Sequence, residues 1–348
     1  MNSRKLLTVC IPAYNRAALL APLLDSIVSQ AYAGYNILIC EDSSPERGAI
    51  ASVVSLYQAK YPGKISYVEN ERNLGYDGNI RQLIELSTGQ YSVFMGNDDL
   101  MCPGALDTIA DVVTRVPDCG VMVRTYATFD QDPTVHKQVF RYYPREVVIE
   151  PGINAIVAGF RRSVVIPGMV IHRDSAVVLA TCQFDGTLLY QIYLAGVILS
   201  KRRVVFTPRI IALRRDGTPP DFGNSESEKD KFVPQDQTPD SSICFMRGML
   251  DIAKYIEDFT QLSVFEAIRR DIGFYSYPIL SIQAKQPWAV FLRCAWQLSR
   301  LGFWRYALFH AYFWALLLMG QSRMDALIKQ IKLRLGYTPN FGSSKGRV

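Results

Sequence analysis

The sequence is poor in the residues that build disulfide scaffolds and nitrogen- or sulfur-ligated metal centres. Its 348 residues include seven cysteines, an odd number, and no two of them are spaced as C-x-x-C. This pattern argues against a disulfide framework and a thiolate zinc site, and it fits a reducing cytoplasm. Three histidines are too few for a histidine-rich metal centre. Any catalytic metal is therefore expected to bind through oxygen atoms.

Two common phosphate-binding motifs are also absent. No G-x-G-x-x-G follows the first predicted strand, and no G-x-x-x-x-G-K-S/T occurs in the chain. The first absence argues against a dinucleotide-binding enzyme and the second against a P-loop enzyme. A sugar nucleotidyltransferase would carry a glycine-rich loop with arginine or lysine at this place, and that loop is missing as well. The N-terminal residues do not resemble a signal peptide.

Acidic residues are scarce near the C-terminus. The chain carries a net charge of +6, but residues 285–348 contain ten basic residues and a single acid, Asp325, so residues 1–284 carry −3. Nucleic-acid-binding domains usually spread their basic residues over a recognition face, and no nucleic-acid partner is expected here. Basic residues clustered beside aromatic ones favour an anionic membrane surface as the partner.

The same segment contains an apolar run that is short for a transmembrane helix. Phe303–Met319 has 17 residues and is interrupted by Arg305 and His310, whereas a span needs about 20 apolar residues. The residues that follow place one helical face at Met324, Leu327, Ile328, Ile331 and Leu335. We expect an interfacial helix that lies on the membrane. The alternative is a helical subdomain packed on the rest of the protein.

Residues 1–130 alternate short β-rich runs with helical patterns. Strands are predicted at 6–11, 37–40, 65–68 and 91–95, and helices at about 16–30 and 103–115. This alternation predicts an α/β fold with a mostly parallel sheet and helices on both faces. Further strands are predicted at 166–172 and 203–213, a helix near 187–199, and a helical region from about 242 to 335.

The predicted elements divide the chain into two parts. Residues 1–240 are expected to form the α/β domain, with a first half at 1–118 and a second half at 119–240, and residues 241–348 a helical, basic C-terminal region. The segment 216–242 is polar and rich in glycine, proline, serine and aspartate. We expect it to be a long mobile loop of the kind that often gates a site.

Four unusual polar clusters follow the predicted strands. In sheets of this type, ligands bind beyond the carboxyl ends of the strands. Because the clusters occupy equivalent ends, we expect them to surround one crevice. They are residues 12–16 (PAYNR), 41–44 (EDSS), 73–79 (NLGYDGN) and 96–99 (GNDD).

The last cluster contains the adjacent carboxylates Asp98 and Asp99. Two like charges so close together are unfavourable unless a cation joins them. Mg²⁺ or Mn²⁺ bound to one or two carboxylates usually completes its coordination with water and substrate phosphate oxygens. The alternative is that Asp99 merely caps the helix that contains Pro103.

In order and spacing, these four clusters resemble family 2 glycosyltransferases of the GT-A fold. The resemblance is specific over about residues 5–115 and weaker to about 215. It implies a nucleoside diphosphate sugar donor, a divalent metal (Mn²⁺ or Mg²⁺) and inversion at the sugar carbon. It also implies that Asp98 and Asp99 bind the metal, and that the donor site consists of Pro12, Ala13, Tyr14, Arg16, Asp42, Asn73, Gly75, Asn79, Asn97 and Asp98.

The chain departs from the family pattern at the metal motif. The family often has Asp-x-Asp-Asp where this chain has residues 96–99, so the first acid is replaced by Gly96. The same variant occurs among O-antigen transferases that resemble abequosyltransferases, which hints at a deoxy-sugar donor. The replacement leaves open which of Asp98 and Asp99 is the main metal ligand.

A second departure concerns the general base, which an inverting transfer needs close to the acceptor hydroxyl. The family places a Glu-Asp pair after Phe-Asp, and this chain has Phe184-Asp185 without that pair. We predict Asp185 as the base; the alternative is that it caps the helix from Thr187. Two rivals, Asp216 and Asp221, lie in the loop, and two arginines just before it are placed to reach a diphosphate, Arg214 and Arg215.

The sequence thus predicts a metal-dependent glycosyltransferase of bacterial surface polysaccharide or O-antigen synthesis. It would act at the cytoplasmic face of the cell membrane as a peripheral protein, on a lipid-linked glycan acceptor. The alternative is a catalytically silent relative that binds glycan or nucleotide and scaffolds an assembly complex. The missing first acid and the missing Glu-Asp pair are the two features that favour this alternative.

Overall fold

The computed structural model describes residues 4–335, apart from the side chains at 332, 333 and 335. Within this range ten strands form one sheet. The strands are β1 (Leu7–Ala13), β2 (Tyr35–Glu41), β3 (Ile65–Glu69), β4 (Tyr91–Phe94), β5 (Leu100–Met101), β6 (Cys119–Phe129), β7 (Gln138–Phe140), β8 (Val147–Ile149), β9 (Met169–His172) and β10 (Arg203–Arg215).

Thirteen α-helices and two short 3₁₀ turns, Arg161–Ser163 and Phe303–Arg305, complete the described chain. The helices are α1 (Ala17–Val28), α2 (Arg47–Lys60), α3 (Gly75–Leu86), α4 (Ala105–Arg115), α5 (Ile153–Phe160), α6 (Arg173–Val177), α7 (Tyr190–Ile198), α8 (Pro239–Thr260), α9 (Phe265–Phe274), α10 (Tyr277–Gln283), α11 (Trp288–Arg300), α12 (Ala307–Met319) and α13 (Gln321–Leu335).

The sheet has the order β3-β2-β1-β4-β9-β6-β10-β5, with β7 paired to β6 and β8 to β10. The first four strands are parallel, with Val9 opposite both Ile37 and Val93. Strand β9 runs antiparallel to β4 and to β6, while β6 and β10 are parallel to each other. The prediction of a mostly parallel sheet is therefore confirmed, and the carboxyl ends of β1, β2, β3 and β4 lie at one edge.

Helices cover both faces of the sheet, as predicted. Successive side chains of a strand point to opposite faces. Val9 and Ile11 accordingly lie in a cluster with α1, α2 and α4, while Cys10 lies in a second cluster with α3, α5, α7 and α8. These strand residues are fully buried, so burial of alternate residues fixes the register of the parallel strands.

Several boundaries differ from the sequence-based expectation, and two helix starts differ for a local reason. Helix α7 begins at Tyr190 and not at 187, because Leu188 has a left-handed backbone conformation that an α-helix does not accept. Helix α8 begins at Pro239, inside the predicted loop 216–242. The Thr238 hydroxyl oxygen accepts a hydrogen bond from the Ser241 N–H, and proline at the first helical position completes a favourable start.

The C-terminal helices pack on the α/β part of the chain. The cluster that contains Cys10 continues through Ile256 of α8 and Leu298 of α11 to Leu316 of α12. The division into 1–240 and 241–348 stays a prediction. In the described range, no helix combines the length and apolar character needed to cross a bilayer. Residues 336–348 and the Leu335 side chain, which belong to the predicted interfacial tail, lie outside the described residues.

Candidate active site

The four strand-end clusters line one cavity of about 500 Å³. This is the arrangement that the sequence predicts, since parallel strands bring their carboxyl ends together. The segment before β9 and the loop after β10 close the cavity on its other sides. The predicted residues that line it are Pro12, Tyr14, Arg16, Asp42, Asn73, Gly75, Asn79, Asn97, Asp98 and Asp99.

The backbone turns sharply where the site begins. Asn15 and Arg16 both have positive φ values, 52° and 61°, and Ser43 after β2 has a φ of 56°. Non-glycine residues rarely adopt this left-handed conformation, and such strain is concentrated at functional sites. The turn after β1 allows α1 to start immediately at Ala17, whose N–H donates to a carboxylate oxygen of Glu46 at 2.8 Å.

A buried carboxylate holds the turn after β2. The Glu41 side chain is fully buried and accepts hydrogen bonds from the N–H groups of Ser43 and Ser44 and from Nε of Arg47, at 3.1, 2.7 and 2.6 Å. These bonds fix the backbone on both sides of Asp42. The two acids of the Glu-Asp-Ser-Ser cluster therefore differ in position: Glu41 stabilises the turn, and Asp42 lines the cavity.

Asp42 is a buried acceptor at the cavity wall. Its carboxylate accepts hydrogen bonds from Nδ2 of Asn70 at 2.7 Å and from the N–H of Leu74 at 2.8 Å. Burial raises the pKa of Asp42 to about 6, although these hydrogen bonds oppose the shift. Burial also raises the pKa of the neighbouring Tyr14 hydroxyl, with a smaller contribution from the charge of Asp221. Asp42 is therefore ionised at neutral pH and protonates in mild acid.

The floor of the cavity is the start of α3. Asn79 donates from Nδ2 to the carbonyl oxygen of Cys40 at 3.1 Å, and its buried Oδ1 has no hydrogen-bond partner in the described part of the chain. Gly75 has a φ of 78°, and a Cβ there would lie 2.5 Å from Oγ of Ser225. Only glycine permits both this conformation and this close approach.

Asp77 connects the start of α3 to the start of α7. It is fully buried, and its two carboxylate oxygens accept four backbone hydrogen bonds, each 2.8 Å long, from Thr187, Leu188, Leu189 and Tyr190. These N–H groups have no partner within α7 itself. Burial raises the pKa of Asp77 to about 6 against the effect of these bonds.

The metal motif is tied to the turn after β1. Asn97, which follows the position of the missing acid, donates from Nδ2 to the carbonyl oxygen of Asn15 at 2.9 Å. Nη1 of Arg16 donates to Oδ2 of Asp98 at 2.8 Å. Arg16 also donates to the carbonyl oxygen of Pro219 at 2.6 Å and lies 3.5 Å from the carboxylate of Asp221. The Arg16 guanidinium therefore balances the negative charge of Asp98.

Asp99 is held by the backbone of β10. Its Oδ1 accepts a hydrogen bond from the N–H of Arg215 at 3.1 Å, and only 3% of the residue is exposed. Burial, followed by the adjacent charge of Asp98, raises the pKa of Asp99 well above its usual range. Helix α4 begins at Ala105 after Gly104 with no side-chain cap, so Asp99 is not a helix cap.

The residues of this motif fit a divalent cation that shares its coordination with a ligand. No cluster of three or more His, Cys, Asp or Glu side chains suited to a metal occurs between residues 4 and 335. Two adjacent carboxylates nevertheless lie at the cavity wall: Asp98 is paired with Arg16, and Asp99 is buried with a raised pKa that a bound cation would lower. Mg²⁺ and Mn²⁺ sites of one or two carboxylates complete their coordination with phosphate oxygens.

Arginine side chains surround the two carboxylates. Arg214 and Arg215 line the cavity, and Nη2 of Arg214 donates to the Asp216 carboxylate at 2.7 Å. Arg124 lies fully buried behind the wall and donates to the carbonyl oxygens of Pro167 (2.6 Å) and Val165. Burial lowers the pKa of Arg124. Its side chain fixes the segment 164–167, which lines the cavity.

The segment 216–238 covers the cavity without forming a helix or strand. Its buried Glu228 accepts hydrogen bonds from the N–H groups of Tyr76 at 2.7 Å and Gly223 at 2.8 Å. Phe222 makes an edge-to-face contact with the Tyr76 ring. The predicted position of this loop over a site is therefore observed, and its mobility stays a prediction.

Two predicted residues do not reach the cavity. Ala13 is fully buried in β1. Its carbonyl oxygen contacts the site residue Asp42 by accepting a hydrogen bond from the Asp42 N–H at 2.9 Å. Asp185 is bound by Arg81, with oxygen–nitrogen distances of 2.5 and 3.0 Å, and does not line the cavity. It does not cap α7 either, because Asp77 takes that role.

Sequence reasoning missed several residues of the site. The segment 164–167, Leu188, Glu228 and Phe245 line the cavity, and the Asp77 anchor stands just behind it. The segment 164–167, Leu188 and Phe245 come from parts of the chain with no polar cluster or strand-end pattern around them. Asp77 and Glu228 carried a signal, because Asp77 lies inside the 73–79 cluster and Glu228 inside the predicted loop 216–242.

The fold is that of GT-A glycosyltransferases. The mannosyltransferase PcManGT of Pyrobaculum calidifontis, solved with GDP-Man and Mn²⁺, is similar over 97% of this chain and 89% of its own, with a TM-score of 0.52 and 15% identity. S. aureus TarS 1–349, solved with UDP-GlcNAc, is similar over 98% and 95%, with a TM-score of 0.51 and 13% identity. At this identity the likeness shows the fold alone.

Residues 8–167 match the sequence model described as glycosyl transferase family 2. The abequosyltransferase RfbV of Salmonella typhimurium is 32% identical over 101 residues, which are 29% of this chain and 30% of RfbV. The GalNAc(5)-diNAcBac-PP-undecaprenol beta-1,3-glucosyltransferase of Campylobacter jejuni is 31% identical over 104 residues, 30% of this chain and 33% of its own. The similarity thus spans about a third of these relatives.

Proposed function

We propose that this protein transfers a sugar from a nucleoside diphosphate donor to a glycan acceptor, with inversion at the sugar carbon, in the synthesis of a bacterial surface polysaccharide. One observation carries the proposal: all four strand-end clusters line one cavity, together with arginines from β10. The match to the family 2 model over residues 8–167 supports the same reaction class.

The nucleoside part of the donor would bind between the ends of β1 and β2 and the start of α3. Asp42 offers an ionised acceptor for the ribose hydroxyls or the base. Asn79 Oδ1, which lacks a partner in the described chain, offers a second acceptor. An unpaired buried acceptor is unfavourable, so a ligand N–H or O–H at this position would gain affinity. The aromatic ring of Tyr14 provides an apolar wall.

The diphosphate would lie between the metal motif and the arginines. Asp98 and Asp99 are the residues that would hold Mg²⁺ or Mn²⁺, and the bound ion would act as a Lewis acid that stabilises the leaving diphosphate. Arg16, Arg214 and Arg215 line the same space. Guanidinium groups bind phosphate oxygens through two parallel hydrogen bonds, and here they would retain the departing nucleoside diphosphate.

The proton of the acceptor hydroxyl needs a carboxylate inside the cavity. Asp216 and Asp221 line it, whereas Asp185 is bound to Arg81 outside it. We therefore propose one of the two loop carboxylates as general base. Asp185 would first have to leave a bidentate arginine, a stronger contact than the single hydrogen bond from Arg214 to Asp216 or the 3.5 Å approach of Arg16 to Asp221.

The acceptor is proposed to be a lipid-linked glycan at the cytoplasmic face of the cell membrane. The Campylobacter relative is named for its action on an undecaprenol diphosphate saccharide, and RfbV for the transfer of abequose. The ten basic residues of 285–348 support a peripheral position at an anionic membrane. The abequosyltransferase likeness also makes a deoxy-sugar donor the first to be tried.

The competing function is a scaffold that binds nucleotide or glycan without turnover. Two ion pairs favour it, because Arg16 occupies Asp98 and Arg81 occupies Asp185. A panel of nucleotide sugars, each with and without Mn²⁺, separates the two functions. Thermal stabilisation identifies the donor that binds, and release of nucleoside diphosphate reports turnover. An enzyme hydrolyses or transfers the stabilising donor, whereas a scaffold is stabilised and releases no product.

A further inference from the structure

All four tryptophans of this protein are exposed, and all lie on the C-terminal helices or in the turn between two of them. Their exposed fractions are 67% for Trp288, 58% for Trp296, 57% for Trp304 and 55% for Trp314. Tryptophan is highly buried on average in folded proteins. Four solvent-facing tryptophans so close together in the chain therefore indicate a surface that binds a membrane or another molecule.

Helix α11 shows that this exposure is organised. Trp288, Leu292 and Trp296 follow each other at every fourth position, which places them on one helical face, and all three are exposed. The adjacent face is buried through Phe291, Cys294, Ala295 and Leu298, which belong to the protein core. The helix thus has two adjacent apolar faces, and the described chain covers only one of them.

Helix α12 adds to the same region. Phe313 stacks on Phe291 of α11 with ring centroids 5.7 Å apart, so the two helices are neighbours. Trp314 and Leu318, one helical turn apart, are 55% and 79% exposed. We call the exposed set the tryptophan surface, and it consists of Trp288, Leu292, Trp296, Trp304, Trp314 and Leu318.

The charges around the tryptophan surface are positive. The Arg300 guanidinium lies 5.0 Å from the centre of the Trp296 ring, and that of Arg305 lies 5.8 Å from the Trp304 ring. Neither arginine forms an ion pair with a carboxylate in the described part of the chain. The single acid between residues 285 and 335, Asp325, accepts hydrogen bonds from Tyr277 at 2.5 Å and Ser281 at 3.2 Å, and Asp240 of α8 lies 3.8 Å from Arg293 of α11.

We propose that the tryptophan surface docks on an anionic phospholipid bilayer, with the indole rings at the headgroup level and the arginines on lipid phosphates. Tryptophan concentrates at membrane interfaces because its ring is apolar and its N–H is polar, and each arginine near an anionic surface strengthens binding. A second copy of the chain is a poorer partner, since a two-fold contact would oppose like charges.

This inference deepens the proposed function and rests on it, because it assigns the membrane contact of a lipid-linked transferase to α11, α12 and the turn between them. It also adds α11 to the membrane contact, which the sequence placed on the face at Met324, Leu327, Ile328, Ile331 and Leu335. The described residues of that face differ: Met324 is 6% exposed and packs in the core, whereas Leu327 and Ile331 are 42% and 43% exposed.

The location of the tryptophans supplies the experiment. Because the chain has no tryptophan elsewhere, its intrinsic indole fluorescence reports on this surface alone. The full-length protein, without donor or metal, is titrated with mixed vesicles of phosphatidylcholine and phosphatidylglycerol, and with pure phosphatidylcholine vesicles. We expect a blue shift and co-sedimentation with the anionic vesicles, and at least a tenfold weaker binding to the neutral ones and in high salt.

Two variants and a matched control test the assignment. The double variant Trp288→Ala/Trp296→Ala and the charge reversal Arg300→Glu/Arg305→Glu should each reduce anionic-vesicle binding at least tenfold. Leu56→Ala, at an apolar residue of α2 that is 71% exposed, should leave it unchanged. Circular dichroism confirms that each variant is folded, and the remaining tryptophans keep the fluorescence readable.

The outcomes separate this inference from the proposed function. Absence of a blue shift and of sedimentation at low salt overturns the membrane surface, even if nucleotide-sugar turnover is observed in detergent-free buffer. A concentration-dependent blue shift without lipid, with a dimer in sedimentation velocity, overturns it in favour of a second copy. Vesicle binding without any turnover supports the tryptophan surface and contradicts only the proposed reaction.

Discussion

Nη1 of Arg16 lies 2.8 Å from Oδ2 of Asp98, so the first strand-end cluster supplies a cation to the last one. The two residues are 82 positions apart in the chain. Their pairing gives Asp98 a counter-charge. A bound cation at Asp98 would compete with Arg16 for the same oxygen, and Arg16 would then be free to bind a donor phosphate.

The metal motif gives the first prediction. Asp98→Asn removes a charge from the cavity wall without changing its volume, and it should lower the turnover number at least about 100-fold, as losses of electrostatic transition-state stabilisation do. The melting temperature should stay within a few degrees. Steady-state kinetics with a Mn²⁺ titration checks the change, with Asp132→Asn, at an exposed loop aspartate, as control. Unchanged turnover in Asp98→Asn would refute the metal role.

The raised pKa of Asp42 gives a pH prediction. Because burial raises this pKa to about 6, the carboxyl is charged at pH 7.5 and largely protonated at pH 5. If the ionised form accepts donor hydrogen bonds, the affinity for the nucleotide sugar, whose diphosphate has no group that titrates near pH 6, should fall about tenfold over that range. Calorimetric titration at a series of pH values measures it. In Asp42→Asn the profile should be flat through pH 6 and the affinity weak; a wild-type profile in that variant would exclude Asp42.

The general base gives the third prediction. Asp216→Asn or Asp221→Asn should lower the turnover number about 100- to 1,000-fold, while donor affinity changes little. Asp185→Asn should retain turnover within a few-fold, because this residue pairs with Arg81 outside the cavity. The three variants are compared by kcat and by donor binding. A large loss of kcat in Asp185→Asn alone would return the role of base to that residue.

Asp77 gives a prediction on stability. Asp77→Asn replaces one of two acceptor oxygens by an N–H₂ group, so two buried N–H groups of the α7 start lose their partner. The free energy of unfolding should fall by about 2 kcal/mol, measured by urea unfolding. Asp107→Asn, at an exposed residue in the first turn of α4, should change it by only a few tenths of that amount. Equal stability of Asp77→Asn and wild type would contradict the anchor role.

The same carboxyl makes stability depend on pH. The pKa of Asp77 in the folded protein, about 6, is above the value of 3.8 that an exposed aspartate has. Between these values the folded state binds more protons than the unfolded state, so the stability that this protonation contributes is present at low pH and is lost as the pH rises through 6. In Asp77→Asn this part of the pH dependence should disappear.

Local patterns along the chain are enough to predict the parallel strands β1–β4 and the side of the cavity that their carboxyl ends form. Buried strands such as β1, and the polar clusters that follow them, are visible in short stretches of sequence. Parallel strands bring their carboxyl ends together whatever the details of packing. The sequence therefore assigns Tyr14, Asp42, Gly75 and Asp98 to one crevice, and the structure agrees.

Which acids and apolar residues remain accessible follows only from the packing of distant segments. Asp185 has a family-like Phe-Asp pattern, but Arg81, 104 positions away, binds it outside the cavity. Trp288 and Met324 are both apolar, yet one is exposed and the other is buried among the C-terminal helices. Such outcomes depend on contacts between residues far apart in sequence, and no local pattern encodes them.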